Sequence, residues 1–172
     1  MDAKNFLVTG PPRCGKSTLI EAVVAKIDRP LTGFFTREIV ERGQRRGFKI
    51  VTLDGREGVL AHERIKGRLR VGKYGLNLAD LDSIAVPSMI PSTQSELIVI
   101  DEIGKMECCS PLFRKTLVET LDSPCRVIGS VALQGSHFIQ EIKSRGDVKL
   151  FPVSNETLDS LVVTLLAVLQ RT

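Results

Sequence analysis

The chain has 172 residues, about one ordinary domain's worth, so a single domain spanning 1–172 is expected. Hydrophobic residues make up 42% and charged residues 26%, a balance that excludes an intrinsically disordered chain. The formal charge of +4 is too small to imply a nucleic-acid partner by itself and is compatible with a polyanionic small molecule.

No apolar run approaches the roughly 18–20 residues that a membrane span needs. Met1 to Asn5 leads straight into an apolar strand, without the order of charged region, apolar stretch and cleavage site of a secretory leader. Cys14, Cys108, Cys109 and Cys125 match neither a disulfide framework nor a zinc site, so reduced thiols and a cytoplasmic location are expected.

Phe6-Leu7-Val8 is a short β-prone run that ends at Gly10-Pro11-Pro12. From Lys16 the period is helical, with Leu19, Ile20, Val23, Val24 and Ile27 on one face and Asp28-Arg29-Pro30 as the stop. Gly33 to Val40 and Phe48 to Leu53 read as strands around a polar turn containing Gly43. Asp54-Gly55 signals a further hairpin into a third strand through Val59-Leu60. Consecutive strands without helices between them pair antiparallel, so residues 33–75 are expected to form an antiparallel extension beside the main sheet. Arg64, Lys66, Arg68 and Arg70 alternate with Ile65, Gly67, Leu69 and Val71, which predicts a strand with a basic face.

A short helix is expected over Leu78–Val86, ended by Pro87, and a loop from Ser88 to Ser95. Leu97-Ile98-Val99-Ile100 has the continuous apolar character of a strand buried on both faces. Ser110 followed by Pro111 starts a helix that Phe113, Leu117 and Leu121 continue and Pro124 closes. Arg126–Ala132 is a second buried strand, His137–Arg145 a short helix with Gly146 just past it, and Val148–Val153 a last strand. A C-terminal helix capped by Ser154 or Asn155 carries Leu158, Leu161, Val162, Leu165, Leu166 and Leu169. The alternation of strand and helix predicts an α/β fold, a mainly parallel sheet covered by helices on both faces.

Gly10-Pro11-Pro12-Arg13-Cys14-Gly15-Lys16-Ser17 fits G-x-x-x-x-G-K-[ST] at every position, between a strand and a helix. Such a loop turns its backbone N–H groups inward at phosphate oxygens, and the following helix adds its positive dipole end. Lys16 is expected to neutralise the β- and γ-phosphates and Ser17 to offer a hydroxyl to Mg²⁺. Asp101 follows the buried run Leu97–Ile100, the Walker B arrangement that completes Mg²⁺ binding. Glu102, directly after it, is placed to orient and deprotonate an attacking water. Lys16, Asp101 and Glu102 are thus the candidate catalytic residues, and Ser17 and Asp101 the candidate metal ligands.

A further cation is expected to stabilise the transition state, and Arg37, the basic face from Arg64 to Lys73 and Arg145 are the candidates. Ser130, in the strand after Asp101, stands as either a γ-phosphate contact or a hydroxyl bonded to backbone. The basic stretch 64–73 also allows a nucleic-acid reading, against which only Tyr74 is near to stack a base. His62 and His137 lack metal-ligand spacing and are read as structural.

The sequence resembles the thermophile-type nucleoside-triphosphatase family, whose animal members are called cancer-related nucleoside-triphosphatases. The resemblance covers essentially the whole chain and rests on Gly33-Phe34-Phe35-Thr36-Arg37-Glu38, Gly47 to Leu53, Arg70-Val71-Gly72-Lys73-Tyr74, and Asp101-Glu102-Ile103-Gly104-Lys105-Met106-Glu107. It implies a P-loop fold similar to RecA-like ATPases and small-molecule kinases, and hydrolysis of ATP, GTP, CTP and UTP with little base preference. Nucleotide-binding segments carry over to Gly10, Pro11, Pro12, Arg13, Cys14, Gly15, Lys16 and Ser17, with Thr18 next. They also carry over to Leu97, Ile98, Val99, Ile100, Asp101, Glu102, Ile103 and Gly104, of which Asp101, Glu102 and their close neighbours are expected to approach the ligand. Arg13-Cys14 departs from similar sequences, which tend to have Gly-Val there.

Two other functions share these parts. A kinase for a small molecule or nucleic acid would use the 33–75 insertion to bind an acceptor. A regulatory GTP switch would use Asp101-Glu102-Ile103-Gly104 as D-x-x-G, but no N-K-x-D segment is present to read guanine.

Overall fold

The structure is a computed structural model and describes residues 2–94 and 96–171. In chain order its elements begin with β1 (Asn5–Gly10), α1 (Lys16–Val24), β2 (Leu31–Glu41), β3 (Gln44–Thr52), β4 (Glu57–His62), β5 (Arg70–Val71) and β6 (Tyr74–Leu76). There follow α2 (Leu78–Asp80), a π-helical turn (Leu81–Ala85), α3 (Val86–Ser88), β7 (Leu97–Ile103) and a 3-10 turn (Glu107–Cys109). The chain closes with α4 (Pro111–Asp122), β8 (Arg126–Ala132), α5 (His137–Lys143), β9 (Val148–Pro152) and α6 (Leu158–Gln170).

Among the described residues nine strands form one sheet in the order β5-β6-β4-β3-β2-β7-β8-β1-β9. β9, β1, β8, β7 and β2 pair parallel, while β2 through β6 pair antiparallel with their neighbours on the other side. Strand alternation sends the apolar residues of the parallel half to both faces. On one face Phe6, Val8, Leu97 and Val99 meet α1 and α6 through Leu19, Ile20, Val23, Leu165 and Leu169. On the other, Leu7, Phe34, Ile98 and Ile100 meet α4, α5 and the 78–89 segment through Phe113, Leu117, Ile139, Leu81 and Met89. Each such side chain contributes about 1.5–3 kcal/mol when fully buried, which is why the strands of this half read as unbroken apolar runs.

The antiparallel extension is continuous with the parallel sheet, because β2 belongs to both. It pairs with β7 over Leu31–Phe35 and with β3 over Phe34–Glu41. Its last six residues, Thr36–Glu41, therefore run on past the end of the parallel pairing with only β3 beside them. The β2–β3 hairpin rises as a wall above the carboxyl edge of the parallel strands.

Several local expectations are corrected. The basic strand over 64–71 does not form. The Arg64 amide donates to His62 Nδ1 at 3.1 Å and the Ile65 amide to the His62 carbonyl at 3.1 Å, so the chain turns as soon as β4 ends. Only Arg70–Val71 is extended, in a small hairpin with β6. Pro87 does not end the helix before it. The Val86 N–H reaches back five residues to the Leu81 carbonyl, and this widened turn leaves room for the proline ring, so helix continues to Ser88.

Helix α1 stops at Val24, short of Ile27. The Lys26 and Ile27 amides bond three residues back, to Val23 and Val24, and tighten the chain out of the helix. Helix α5 ends at Lys143 and leaves Arg145 beyond it. Helix α6 begins at Leu158, since Ser154 and Thr157 bond to each other in a turn of their own (Ser154 N–H to Thr157 Oγ1, 2.9 Å; Thr157 N–H to Ser154 O, 3.1 Å). Strand β7 runs three residues past Ile100. Of the loop expected over 88–95, Ser95 lies outside the described residues.

Candidate active site

The loop after β1 reaches α1 through Gly15, whose φ of 95° lies in the left-handed region that favours glycine. Arg13 also sits at positive φ, 62°, where an L side chain costs about 1–2 kcal/mol relative to glycine. The Lys16 ammonium turns back over the loop to within 2.9 Å of the Gly10 carbonyl and 3.4 Å of Glu102 Oε2. The Ser17 hydroxyl donates to Asp101 Oδ2 at 2.7 Å. Two elements 84 residues apart in sequence thus meet at one sheet edge, because the carboxyl ends of parallel strands open a common crevice there.

Asp101 is 2% exposed and fully engaged. Ser130, on the neighbouring strand β8, donates to its Oδ1 at 2.5 Å, and the Thr36 hydroxyl of β2 donates to its backbone carbonyl at 2.9 Å. Ser130 therefore bonds the Asp101 carboxylate rather than backbone. Burial pushes the Asp101 carboxyl above its ordinary range, and the hydroxyls of Ser130 and Ser17 pull it back.

Glu102, next in the strand, faces the opening beside Lys16. A third acid, Glu107, comes back to the same place from the turn after β7. A Cβ on Gly104 would lie 2.7 Å from Glu102 Oε1 and 2.9 Å from Glu107 Oε2, so this glycine lets the two carboxyl groups close around it. Glu107 is 4% exposed, and burial, reinforced by the charge of Glu102, pushes its carboxyl up to about 8. Sequence reasoning gave Glu107 no role. The available signal was an acid between Met106 and Cys108, and no spacing rule distinguishes it from a solvated one.

These groups line a cleft of about 1010 Å³. Of the first candidate segment, Gly10, Pro12, Arg13, Gly15, Lys16, Ser17 and Thr18 line it, while Pro11 and Cys14 do not. Cys14 packs its thiol against the apolar cluster under α1 and α6. Of the second segment, Asp101 and Glu102 line it. Leu97, Ile98, Val99, Ile100 and Ile103 are fully buried in the sheet, and Gly104 sits behind Glu102.

The candidate arginines separate. Arg37 lines the cleft, where it pairs with Glu21 of α1 and lies 4.6 Å over the Phe35 ring. Arg64 pairs with Glu41, and Arg70 donates to the Ile65 and Lys73 carbonyls. Arg145 is clamped by Asp122 at 2.6 Å and Asp147 at 2.8 Å. The Asp147 carbonyl accepts from the amides of Lys4 and Asn5, where β1 begins, so Arg145 stands at the opposite edge of the sheet. The histidines take carboxylate neighbours, His62 with Glu41 and His137 with Glu141, and all four cysteines are free thiols.

The parallel sheet, its glycine-rich strand-to-helix loop and the crevice at its carboxyl edge define a P-loop NTPase fold. Comparison with known proteins narrows the class. A family model described as NTPase matches residues 5–166. The nucleoside-triphosphatase THEP1 of Thermotoga sp. (strain RQ2) is 42% identical over 166 residues, which cover 96% of this chain and 95% of that protein. The crystal structure of THEP1 from the hyperthermophile Aquifex aeolicus is similar with a TM-score of 0.88 at 27% identity, covering 97% of this chain and 99% of that one. The solution structure of a human cancer-related nucleoside triphosphatase gives 0.83 at 32% identity, covering 99% and 100%. The chain belongs to this nucleoside-triphosphatase family and is an enzyme of the hydrolase class.

Proposed function

We propose that the protein hydrolyses the terminal phosphoanhydride of nucleoside triphosphates as their Mg²⁺ complexes, with little preference for the base. The observation that carries this is the meeting of Lys16, Ser17, Asp101 and Glu102 at one sheet edge, with Ser17 to Asp101 at 2.7 Å and Lys16 to Glu102 at 3.4 Å. A hydroxyl and a carboxylate side by side are hard oxygen donors suited to Mg²⁺, which commonly takes one or two protein ligands and completes its shell with phosphates and water. Ser17 and Asp101 would hold it. When bound, Mg²⁺ offsets the charge of the phosphate oxygens.

The chain's own groups do the rest. The loop amides and the α1 N-terminus hold the phosphate chain, and Lys16 spans its β- and γ-groups. Glu102 accepts a proton from water as the water oxygen bonds to the γ-phosphorus. The bond from that phosphorus to the β–γ bridging oxygen breaks, and nucleoside diphosphate leaves with inorganic phosphate as the second product. Arg37, the candidate arginine that lines the cleft, supplies positive charge as the phosphoryl group transfers. Ser130 and Thr36 fix Asp101 in place before the nucleotide arrives, so no reorganisation is needed at the moment of reaction.

Base breadth follows from where the binding groups are. The loop amides, Lys16, Ser17 and Asp101 address the part that all triphosphates share, and groups on the shared part cannot discriminate among bases. The test is Glu102→Gln, which keeps shape and cannot accept the proton. Turnover falls about 10²-fold or more, as for a lost general base, while Mg²⁺-nucleotide affinity is retained. Phosphate release at the parental rate from that variant would move the base to another residue.

A further inference from the structure

The far end of the cleft is built for something other than a triphosphate. Away from the phosphate loop in sheet order, its lining takes in Phe48 on β3, Leu60 on β4 and Val71 on β5, with Met106 from the turn after β7, and all four belong to one apolar cluster. Arg45 edges this wall, 5.2 Å over the Phe48 ring, with its guanidinium tied to Glu38 at 3.1 Å. Glu107, 4% exposed, also lines the cleft, next to Glu102 at Gly104.

The position of this end identifies what it faces. The sheet order places β2, β3 and β4 on the far side of β7 from β1, which carries the phosphate loop. Strand β3 lies two strand spacings, about 10 Å, from β7. In phosphoryl transfer the nucleophile and the leaving diphosphate lie roughly in line on opposite sides of the γ-phosphorus. Lys16 and Glu102 mark the γ-end, so whatever lies beyond Glu102 is on the nucleophile's side, and the nucleotide's base trails away from the other end. A water nucleophile takes about 30 Å³ and has no use for an apolar wall. The cleft, about 1010 Å³ in all, is at the upper bound of the roughly 300–1,000 Å³ that one small ligand usually fills.

We propose that the Phe48–Leu60–Val71–Met106 wall binds a second substrate, a small alcohol with an apolar body, and that the enzyme transfers the γ-phosphoryl group to its hydroxyl. The inference rests on the triphosphate site proposed above. Glu102 takes the hydroxyl proton, the alcohol oxygen bonds to the γ-phosphorus, and the bond from that phosphorus to the β–γ bridging oxygen breaks. The products are a phosphate monoester and nucleoside diphosphate. Water takes the same place when no alcohol is bound.

The test uses the full chain with Mg²⁺, ATP labelled in its γ-phosphate, and 2-phenylethanol, pyridoxine and thymidine as probes, with labelled ester and labelled inorganic phosphate separated and counted. The expected result is ester formation from at least one probe. It falls at least tenfold in Phe48→Ala and in the milder Val71→Asn, while phosphate release without alcohol stays within twofold of the parent. Phosphate release with no ester from any probe overturns the acceptor site and leaves the hydrolase reading standing. A raised KM for ATP in both variants, with hydrolysis of inorganic tripolyphosphate unchanged, shows that the nucleotide's own base occupies the wall and also overturns the proposal. Absence of both ester and phosphate release overturns the triphosphate site beneath it.

Discussion

In the parallel half of the sheet the polar groups are buried and shared among elements. Asp101, 2% exposed, takes hydroxyl hydrogen bonds from α1 and β8, and its carbonyl takes another from β2. In the antiparallel half the charges lie outside and pair locally. Arg45 meets Glu38, Lys49 meets Glu57 and Arg64 meets Glu41. Exposed pairs of this kind are worth about 0–1 kcal/mol each, whereas a buried carboxylate stripped of a partner costs several times that. The parallel half is preorganised around a fixed chemistry, and the antiparallel half is a wall whose charges can be exchanged at little cost.

The largest effect expected from breaking this division is that of Lys16→Ala. Phosphate release falls by about 10³-fold, in the range of a lost charge at a phosphoryl site, because the Lys16 ammonium is the group that meets both Gly10 and Glu102. Thermal unfolding shifts only by the equivalent of about 1 kcal/mol, for the hydrogen bond to the Gly10 carbonyl. Turnover at the parental rate would show that the loop does not bind phosphate.

The next effect separates two arginines at opposite edges. Arg37→Ala lowers kcat roughly 10–100-fold with little change in KM, as expected for charge offered chiefly to the transition state. Arg145→Ala leaves kcat unchanged and destabilises the fold by about 1.5–3 kcal/mol, since it leaves Asp147 without its charged partner. Steady-state kinetics and denaturant unfolding on the two variants test the assignment, and a kinetic defect in the second would reverse it.

Smaller again is the spread among nucleotides. The kcat/KM values of ATP, GTP, CTP and UTP at one Mg²⁺ concentration fall within about tenfold, or roughly 1.4 kcal/mol. A preference above about a hundredfold would reveal a base pocket.

A separate effect bears on stability and not on turnover, a pH dependence of unfolding. Glu107 keeps its proton in the folded protein up to about 8, against 4.5 as its ordinary value. Between those values unfolding releases a proton, so this group's contribution to stability is full below about 4.5 and declines as pH rises towards about 8. Glu107→Gln removes the decline. Urea midpoints of the nucleotide-free parent and variant at pH 5 and pH 8 measure it, and parallel curves would show that Glu107 ionises freely.

Much of this was legible in the chain alone. Gly10 to Ser17 between a strand and a helix, and Asp101-Glu102 after four apolar residues, are local patterns with direct physical causes. A loop that wraps phosphate needs its glycines, and a strand buried on both faces can be read from its unbroken apolar run. Periodicity likewise located the buried strands at Leu97 and Arg126 and the helix from Pro111.

Tertiary structure decided the rest, because it depends on which distant elements become neighbours. The alternation over 64–71 satisfied a strand pattern, yet His62 turned the chain there through a side-chain acceptor that no period records. Arg37, Arg64 and Arg145 were equivalent as sequence, and only the sheet order put Arg37 at the site and Arg145 at the other edge. Ser130 and Glu107 carry no motif. They reach Asp101 and Glu102 because β8 lies beside β7 and because Gly104 lets the chain fold back over itself. Local sequence sets which elements form and which groups are suited to phosphate. The pairing of β2 with both β7 and β3 sets what stands across the cleft from them, since strand pairing is a contact between segments far apart in the chain.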